Sequence, residues 1–372
     1  VLAARVTSTG TATITYEGVG SGVGSTSNYG VTLADSGTAI TATTGTIAIK
    51  GVGVATGGGN SGINQANGAD VVSLGNAPIA LEGTGAGTNN GISTTGGGNI
   101  IGGTTANGNI SLTADRMDIS STTVQSQGNL LLQPLTPSTS IGIGDDSTGT
   151  LKLDKPQLDS LENGFNTITI GRADGTGQVT LGNATFRDNL ILNASPLGSG
   201  TVAFNGSVNF SGNNLTLNTG GTVTQTQPIE VGGLELLGSG SYILNNPNNS
   251  INTIAANTTG SISYVDKGGF SIGTVGSTRG IITSGTLTLD AGGTVTQTQP
   301  IVAAGLELLG SGSYVLNNPA NNVSTIAANT TGSIDYTNAQ NLAIATVGTT
   351  TGISAPEPVS YTHLTLPTNR EV

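Results

Sequence analysis

Residues 221–280 are written out again at 293–352. The first copy opens GTVTQTQPIEVGGLELLGSGSYILNNPNNS and the second GTVTQTQPIVAAGLELLGSGSYVLNNPANN. Every landmark moves by 72, with no insertion or deletion: Pro228 to Pro300, Tyr242 to Tyr314, Tyr264 to Tyr336, Gly280 to Gly352. A fixed period marks a stacked architecture, in which each unit covers the apolar face of the next. An elongated stack is the first expectation.

The stack is built of strands. The chain holds 60 Gly, 12 Pro and no Cys or Trp, with 8% charged but 35% hydrophobic residues. Thr, Ser, Asn, Gly and aliphatic residues dominate, which suits short strands and tight turns rather than helix. Three textures follow one another. To about Asn109, TITYEGVG at 13–20 recurs as TIAIKGVG at 46–53 and PIALEGTG at 78–85, steps of 33 and 32. A second apolar motif lies between the copies (Tyr29-Gly30-Val31, Gly62-Ile63, Gly91-Ile92). Residues 110–214 are less regular. There LDKPQLDSLENGF predicts one short helix near 154–163: Asp154 and Gln157 form a capping box, Pro156 suits the first turn, and Gly164 stops it. The third texture is the pair of units, 215–286 and 287–358.

Strand starts near Leu234, Ile251, Phe270 and Leu287 suggest coils of about 18 residues, four to each 72. Alternation turns Leu306 and Leu308 inward with Glu307 outward, and Ile334 and Tyr336 inward with Asp335 outward. Glu235 and Glu307 thus read as solvated surface. The predicted fold is all-β, a parallel β-helix of three-stranded coils, right-handed by the rule for parallel crossovers. An antiparallel sandwich explains identical copies at a fixed step poorly, and the aromatic blade signatures of a propeller are missing.

Composition narrows function. Ten basic residues against 21 acidic ones, net charge −11, cannot build a phosphate-binding stripe, so neither nucleic acid nor an anionic membrane surface is expected as a partner. No apolar run is long enough for a membrane span. The chain opens VLAARVTSTG, which reads as a segment of something longer. The last fourteen residues, 359–372 (VSYTHLTLPTNREV), hold the only His, His363, and break the texture. They resemble a translated sequencing adapter and are expected to lie outside the coils.

β-Helices include polysaccharide lyases and hydrolases, whose sites need clustered Asp with Arg, Lys or His. The nearest candidates are Asp145-Asp146, Arg172 with Asp174, and Asp115-Arg116. GDDSTG and ADGTG read better as turns, and GRADGTGQV is a single partial echo of a calcium-binding tandem. The glycine strings GVGSGVGS and GTGAGTNNG precede no helix, so they make no phosphate cradle. Asn109, Asn183, Asn193, Asn205, Asn209, Asn214, Asn257 and Asn329 stand in glycosylation sequons, as an Asn/Thr-rich chain produces by chance. No catalytic, metal-binding or cofactor residues are assigned, and no cofactor is expected.

The repeat GTVTQTQPI..AGLELLGSGSYVLNNPANNVSTIAANTTGSIDY…LAIATVGTTTGI resembles those of filamentous haemagglutinin-type bacterial exoproteins. So does IGIGDDSTGTLKLDKPQLDSLENGFNTITIGRADGTG at 141–177, and the NYGV…TIAIKGVG units are similar to repeats of the same proteins. The resemblance spans nearly all of residues 13–356 and includes no catalytic signature. It implies a shaft segment of a secreted adhesin, displayed on the cell surface and exported by a dedicated outer-membrane partner, with host or environmental glycans or proteins as targets. The alternatives are a carbohydrate-active β-helix enzyme and a shaft that itself binds host glycans.

Overall fold

The computed structural model describes residues 4–21, 27–54, 59–210 and 212–363. The chain forms a parallel β-helix that divides into two compact units: Val1–Ser195 with Gly200–Val208, and Pro196–Ser199 with Asn209–Val372.

In the first unit the opening coils have three strands each. Arg5–Ser8, Ile14–Val19 and Val31–Ala34 make one coil; Ala39–Ala42, Ile47–Val52 and Ile63–Ala66 make the next. All three pairings are parallel and in register, with Arg5 on Ala39, Ile14 on Ile47 and Val31 on Ile63. The central ladder runs on through Ile79, Ile110, Leu130, Ile168 and Leu190. Alternation explains why it forms: Ile47 and Ile49, Ile79 and Leu81, Ile110 and Leu112, Leu130 and Leu132 are all at most 1% exposed. Each such burial is worth about 1.5–3 kcal/mol. The intervening side chains face out, and Lys50 meets Glu82 at 2.7 Å on the surface.

Ile14 pairs with Ile47 and Ile47 with Ile79, the same steps of 33 and 32 that separate the sequence copies. The sequence repeat of this region is therefore one coil. Its paired glycine motifs close a corner. A Cβ on Gly51 would stand 2.0 Å from the Gly62 carbonyl oxygen, and one on Gly83 would stand 2.0 Å from that of Gly91.

The expected helix is present but shorter, Lys155–Asp159. Its capping box is not made: Asp154 occupies the N-cap without a side-chain cap bond. The Lys155 N–H donates instead to Asp145 Oδ1 at 3.1 Å, so a carboxylate from earlier in the chain replaces the local cap. Pro156 lies in the first turn as expected.

The second unit corrects the coil arithmetic. Tyr242 lies beside Ile262, Ile262 beside Leu287, and Leu287 beside Leu306, successive steps of 20, 25 and 19. Every one of these coils exceeds the expected length. The three steps together fall eight short of the 72 that separates the sequence copies. Leu306 therefore stacks on Leu287, Ile262 and Tyr242, whereas its equivalent Leu234 stacks on Leu215 beneath Ile254. One sequence repeat is three coils plus one further face, and equivalent residues of the two copies stand on neighbouring faces. The long strand Ile301–Gly310 shows the shift directly. Ile301 and Val302 pair with Ile281–Ile282, whereas Gly305–Gly310 pair with Thr286–Ala291.

The longest step has a local cause. Ile254 pairs with Ile272, a step of 18, whereas Ala256 pairs with Ile281, a step of 25. Between them an antiparallel hairpin leaves the coil, Thr274–Val275 against Thr278–Arg279. The second copy repeats it as Thr346–Val347 against Thr350–Thr351.

Polar corners close the coils. Asn249 and Asn321 are fully buried and fully bonded. Asn321 Oδ1 accepts the Ile301 N–H at 2.8 Å, and its amide donates to the Leu316 and Thr337 carbonyls and to Gln297 Oε1. Asn249 repeats this with Ile229, Leu244, Val265 and Gln225. Thr258, Thr283 and Thr330 each donate to a carbonyl of the preceding coil and accept the N–H of the glycine two residues on. These bonds remove the cost of burying backbone polar groups where the chain changes direction.

The expected core facing holds. Leu306 and Leu308 are 0% exposed, and Ile334 and Tyr336 are buried. The tail does not lie wholly outside the coils. Val359–His363 forms a strand parallel to Ile334–Asn338, with Val359 beside Ile334 and Tyr361 beside Tyr336. An open strand edge offers unpaired N–H and C=O groups that an extended segment can take up. Residues 364–372 lie outside the described residues.

Candidate functional site

Four of the acid–base residues singled out in the sequence, Asp115, Arg116, Arg172 and Asp174, converge on one place in the first unit. A cleft of about 210 Å³ is lined by Gly83, Thr84, Gly85, Gly87, Asn89 and Gly91 on one side, and by Asp115, Arg116, Leu135, Thr139 and Thr150 on the other. The first wall is the GTGAGTNNG segment. Here the glycines allow the backbone to fold onto itself: a Cβ on Gly85 would stand 2.2 Å from the Asn89 carbonyl oxygen. That wall presents backbone more than side chains.

The second wall is clamped twice. Asp115 Oδ1 accepts the Thr136 N–H at 2.7 Å and the Thr139 hydroxyl at 2.9 Å, and Oδ2 accepts the Thr136 hydroxyl at 2.6 Å. Burial pushes the Asp115 carboxyl up, but these bonds outweigh it and hold it below the usual carboxylate range. Arg172 forks onto Asp174 at 2.7 and 2.9 Å, and its Nη1 donates to the Pro134 and Leu135 carbonyls. The hydrogen bond from Arg172 holds Asp174 low, and the same pair raises the guanidinium. The Asp115 carboxylate and the Arg172–Asp174 pair are thus occupied in fixing residues 134–139, a positioning role rather than that of a free general base.

Arg116 differs. Among the described residues its guanidinium has no ion pair or hydrogen bond, and the side chain is half-buried on the cleft wall. The Thr84 and Thr150 hydroxyls likewise have no hydrogen-bond partner among the described residues.

Asp145 and Asp146 are elsewhere. Asp145 caps the helix, and Asp146, at φ +61°, sits in a turn with its carboxylate accepting from Asn183 at 3.3 Å. In ADGTG the Gly175 N–H donates to the Arg172 carbonyl at 3.1 Å, closing a turn. Among the described residues no group of three or more Asp, Glu or His is placed to hold a metal ion. The second half of GVGSGVGS falls within 22–26, outside the described residues.

Two carboxylates depart from the sequence expectation. Glu235 and Glu307 point away from the coil interior, as alternation requires, yet are only 5% and 4% exposed. The hairpins fold over them. Glu307 Oε1 accepts the Thr349 and Thr350 N–H groups, each at 3.2 Å, and Oε2 accepts the Thr288 hydroxyl at 2.8 Å. Glu235 Oε2 accepts the Thr216 hydroxyl at 2.7 Å. Val275 and Val347, on the hairpin strands, turn inward and are buried next to Gly233 and Gly305. TVG recurs at 274–276 and 346–348, but only the structure shows Gly276 and Gly348 at φ of +56° and +58° against the carboxylates.

Comparison with family models, with curated proteins and with solved structures finds no match to this chain.

Proposed function

We propose that this chain is a length of the shaft of a secreted bacterial surface adhesin of the filamentous haemagglutinin type, holding a binding region away from the cell. The observation that supports it most is the ladder of the second unit. Strand lies on strand from Leu215 to Val359, each coil sealed by buried Asn and Thr corners, with the polar side chains spent on backbone groups. Such an arrangement commits its chemistry to stacking, as a spacer must. The resemblance of the repeat motifs to that family supports this reading, and an outer-membrane secretion partner and an extracellular location belong to the same proposal.

The test is where the repeat is displayed. An antibody raised against residues 221–280 is expected to label intact cells of the source bacterium, and brief external protease treatment is expected to remove the label. Labelling only after permeabilisation would overturn the proposal.

A further inference from the structure

A structural arginine in this protein has a recognisable form. Arg172 forks onto a carboxylate and donates to two carbonyls, and so braces the wall of the cleft. Arg116, in the same cleft, has none of these partners among the described residues, although the chain contains 21 acidic residues. Its neighbour Asp115 is turned to other work, with its oxygens taken by Thr136 and Thr139. A half-buried guanidinium left without a partner has given up part of its hydration with nothing gained inside the protein. A ligand anion would supply the missing acceptor.

The rest of the cleft says what kind of anion. The Thr84 and Thr150 hydroxyls point to a hydroxylated ligand. The glycine wall exposes backbone and no aliphatic side chain, and Leu135 is the one large apolar residue in the lining. The volume of about 210 Å³ suits a single sugar ring. Both walls are fixed beforehand, by the Asp115 and Arg172 clamps and by the folded glycine segment, so little ordering remains to be done on binding.

We infer that this cleft binds the carboxylate-bearing sugar unit of an acidic polysaccharide, with Arg116 gripping the carboxylate through a two-pronged hydrogen bond and Thr84 and Thr150 meeting the ring hydroxyls. The inference stands independently of the shaft proposal, since it rests on the cleft alone.

The experiment is calorimetric titration of the intact chain with a trimer of galacturonate, beside a neutral galactose trimer, sodium acetate and sodium sulfate. Galacturonate is expected to bind, the neutral trimer not to, and acetate and sulfate to bind at least about tenfold more weakly, since they lack the hydroxyls. Arg116→Gln is expected to weaken galacturonate binding by about tenfold or more, while Arg187→Gln, an exposed cation elsewhere in the unit, leaves it unchanged. Thr84→Val is expected to weaken galacturonate but not acetate. Thermal melting of each variant confirms that it folds. Three results would overturn the inference: no galacturonate binding, equal binding of the neutral trimer or of acetate, or wild-type affinity in a folded Arg116→Gln variant.

Discussion

Glu307 stands between Leu306 and Leu308 in a strand, and alternation alone assigns it to water. Its direction is right and its environment is not. A hairpin from far downstream in the chain covers it and donates two N–H groups to it. Glu307→Ala would leave those donors and the Thr288 hydroxyl without their acceptor. We expect a loss of about 1–3 kcal/mol, measured by denaturant unfolding. Leu306→Asp should cost more, because it buries a charge with no partner. A wild-type midpoint for Glu307→Ala would show that the hairpin does not seal the carboxylate. Asp115 gives a pH signature. Its folded carboxyl lies below the ordinary value, so its contribution is complete above about pH 4 and is lost as pH falls through the lowered folded value. Asp115→Asn should remove that acid-side fall in protection of the backbone of residues 134–139, followed by hydrogen exchange. An unchanged profile would mean that Asp115 does not clamp this segment.

At the scale of elements, the two repeats serve as controls for each other. Asp266 and Asn338 occupy the same place. Asp266 accepts the Tyr264 hydroxyl at 2.6 Å and the Ile251 N–H at 3.2 Å; Asn338 Oδ1 accepts the Tyr336 hydroxyl and the Val323 N–H, both at 2.9 Å. Asn338 also donates to the Val323 and Gln340 carbonyls. Burial, then the Asp266 carboxylate, pushes the Tyr264 hydroxyl above its ordinary value, so it remains a donor. Asp266 Oδ1 also accepts the Gly268 N–H at 2.9 Å, which an amide nitrogen cannot do, so Asp266→Asn should cost about 1 kcal/mol, the loss of one hydrogen bond. A loss of several kcal/mol would show that the two corners are not equivalent. The hairpins are less tolerant. A Cβ on Gly348 would stand 2.5 Å from Glu307 Oε2, at φ +58°. Gly348→Ala should free the hairpin at 346–351 to proteolysis without unfolding the coils. Strands and core facing were legible in the sequence because alternation is a local property: Leu306, Ile334 and Tyr336 are buried where the pattern placed them. The hairpins were not, because TVGSTRG has the composition of any turn in this chain and only its contact with Glu235 or Glu307 distinguishes it. The cleft was half legible. Asp115, Arg116, Arg172 and Asp174 stood out as charges in a chain poor in them, but the division between clamp and free cation depends on contacts across coils.

At the scale of the molecule, a sequence period and a structural period are different quantities. In the first unit they coincide, with TIAIKGVG advancing one coil per copy. In the second they do not. Dividing the sequence period by four implies a uniform coil, whereas the steps run 20, 25 and 19 and the remainder moves each copy round by one face. Only the register of strand on strand reveals this, since the repeat looks the same in either frame. The consequence is that Glu235 with its hairpin and Glu307 with its hairpin look out from neighbouring faces. The chain has no cysteine, so introduced cysteines carry spin labels without background. Labels at Ile243 and Ser263, and at Asn257 and Ile282, stand on adjacent strands in register. Adjacent strands are about 4.8 Å apart, so both pairs should show strong dipolar broadening. Asn257 and Asn329, equivalent places in the two copies, lie in different columns, Asn257 beside Ile282 and Asn329 beside Leu309, and should show far weaker broadening than either adjacent pair. Broadening at Asn257/Asn329 with none at Asn257/Ile282 would contradict the coil arithmetic and the stacked order built on it.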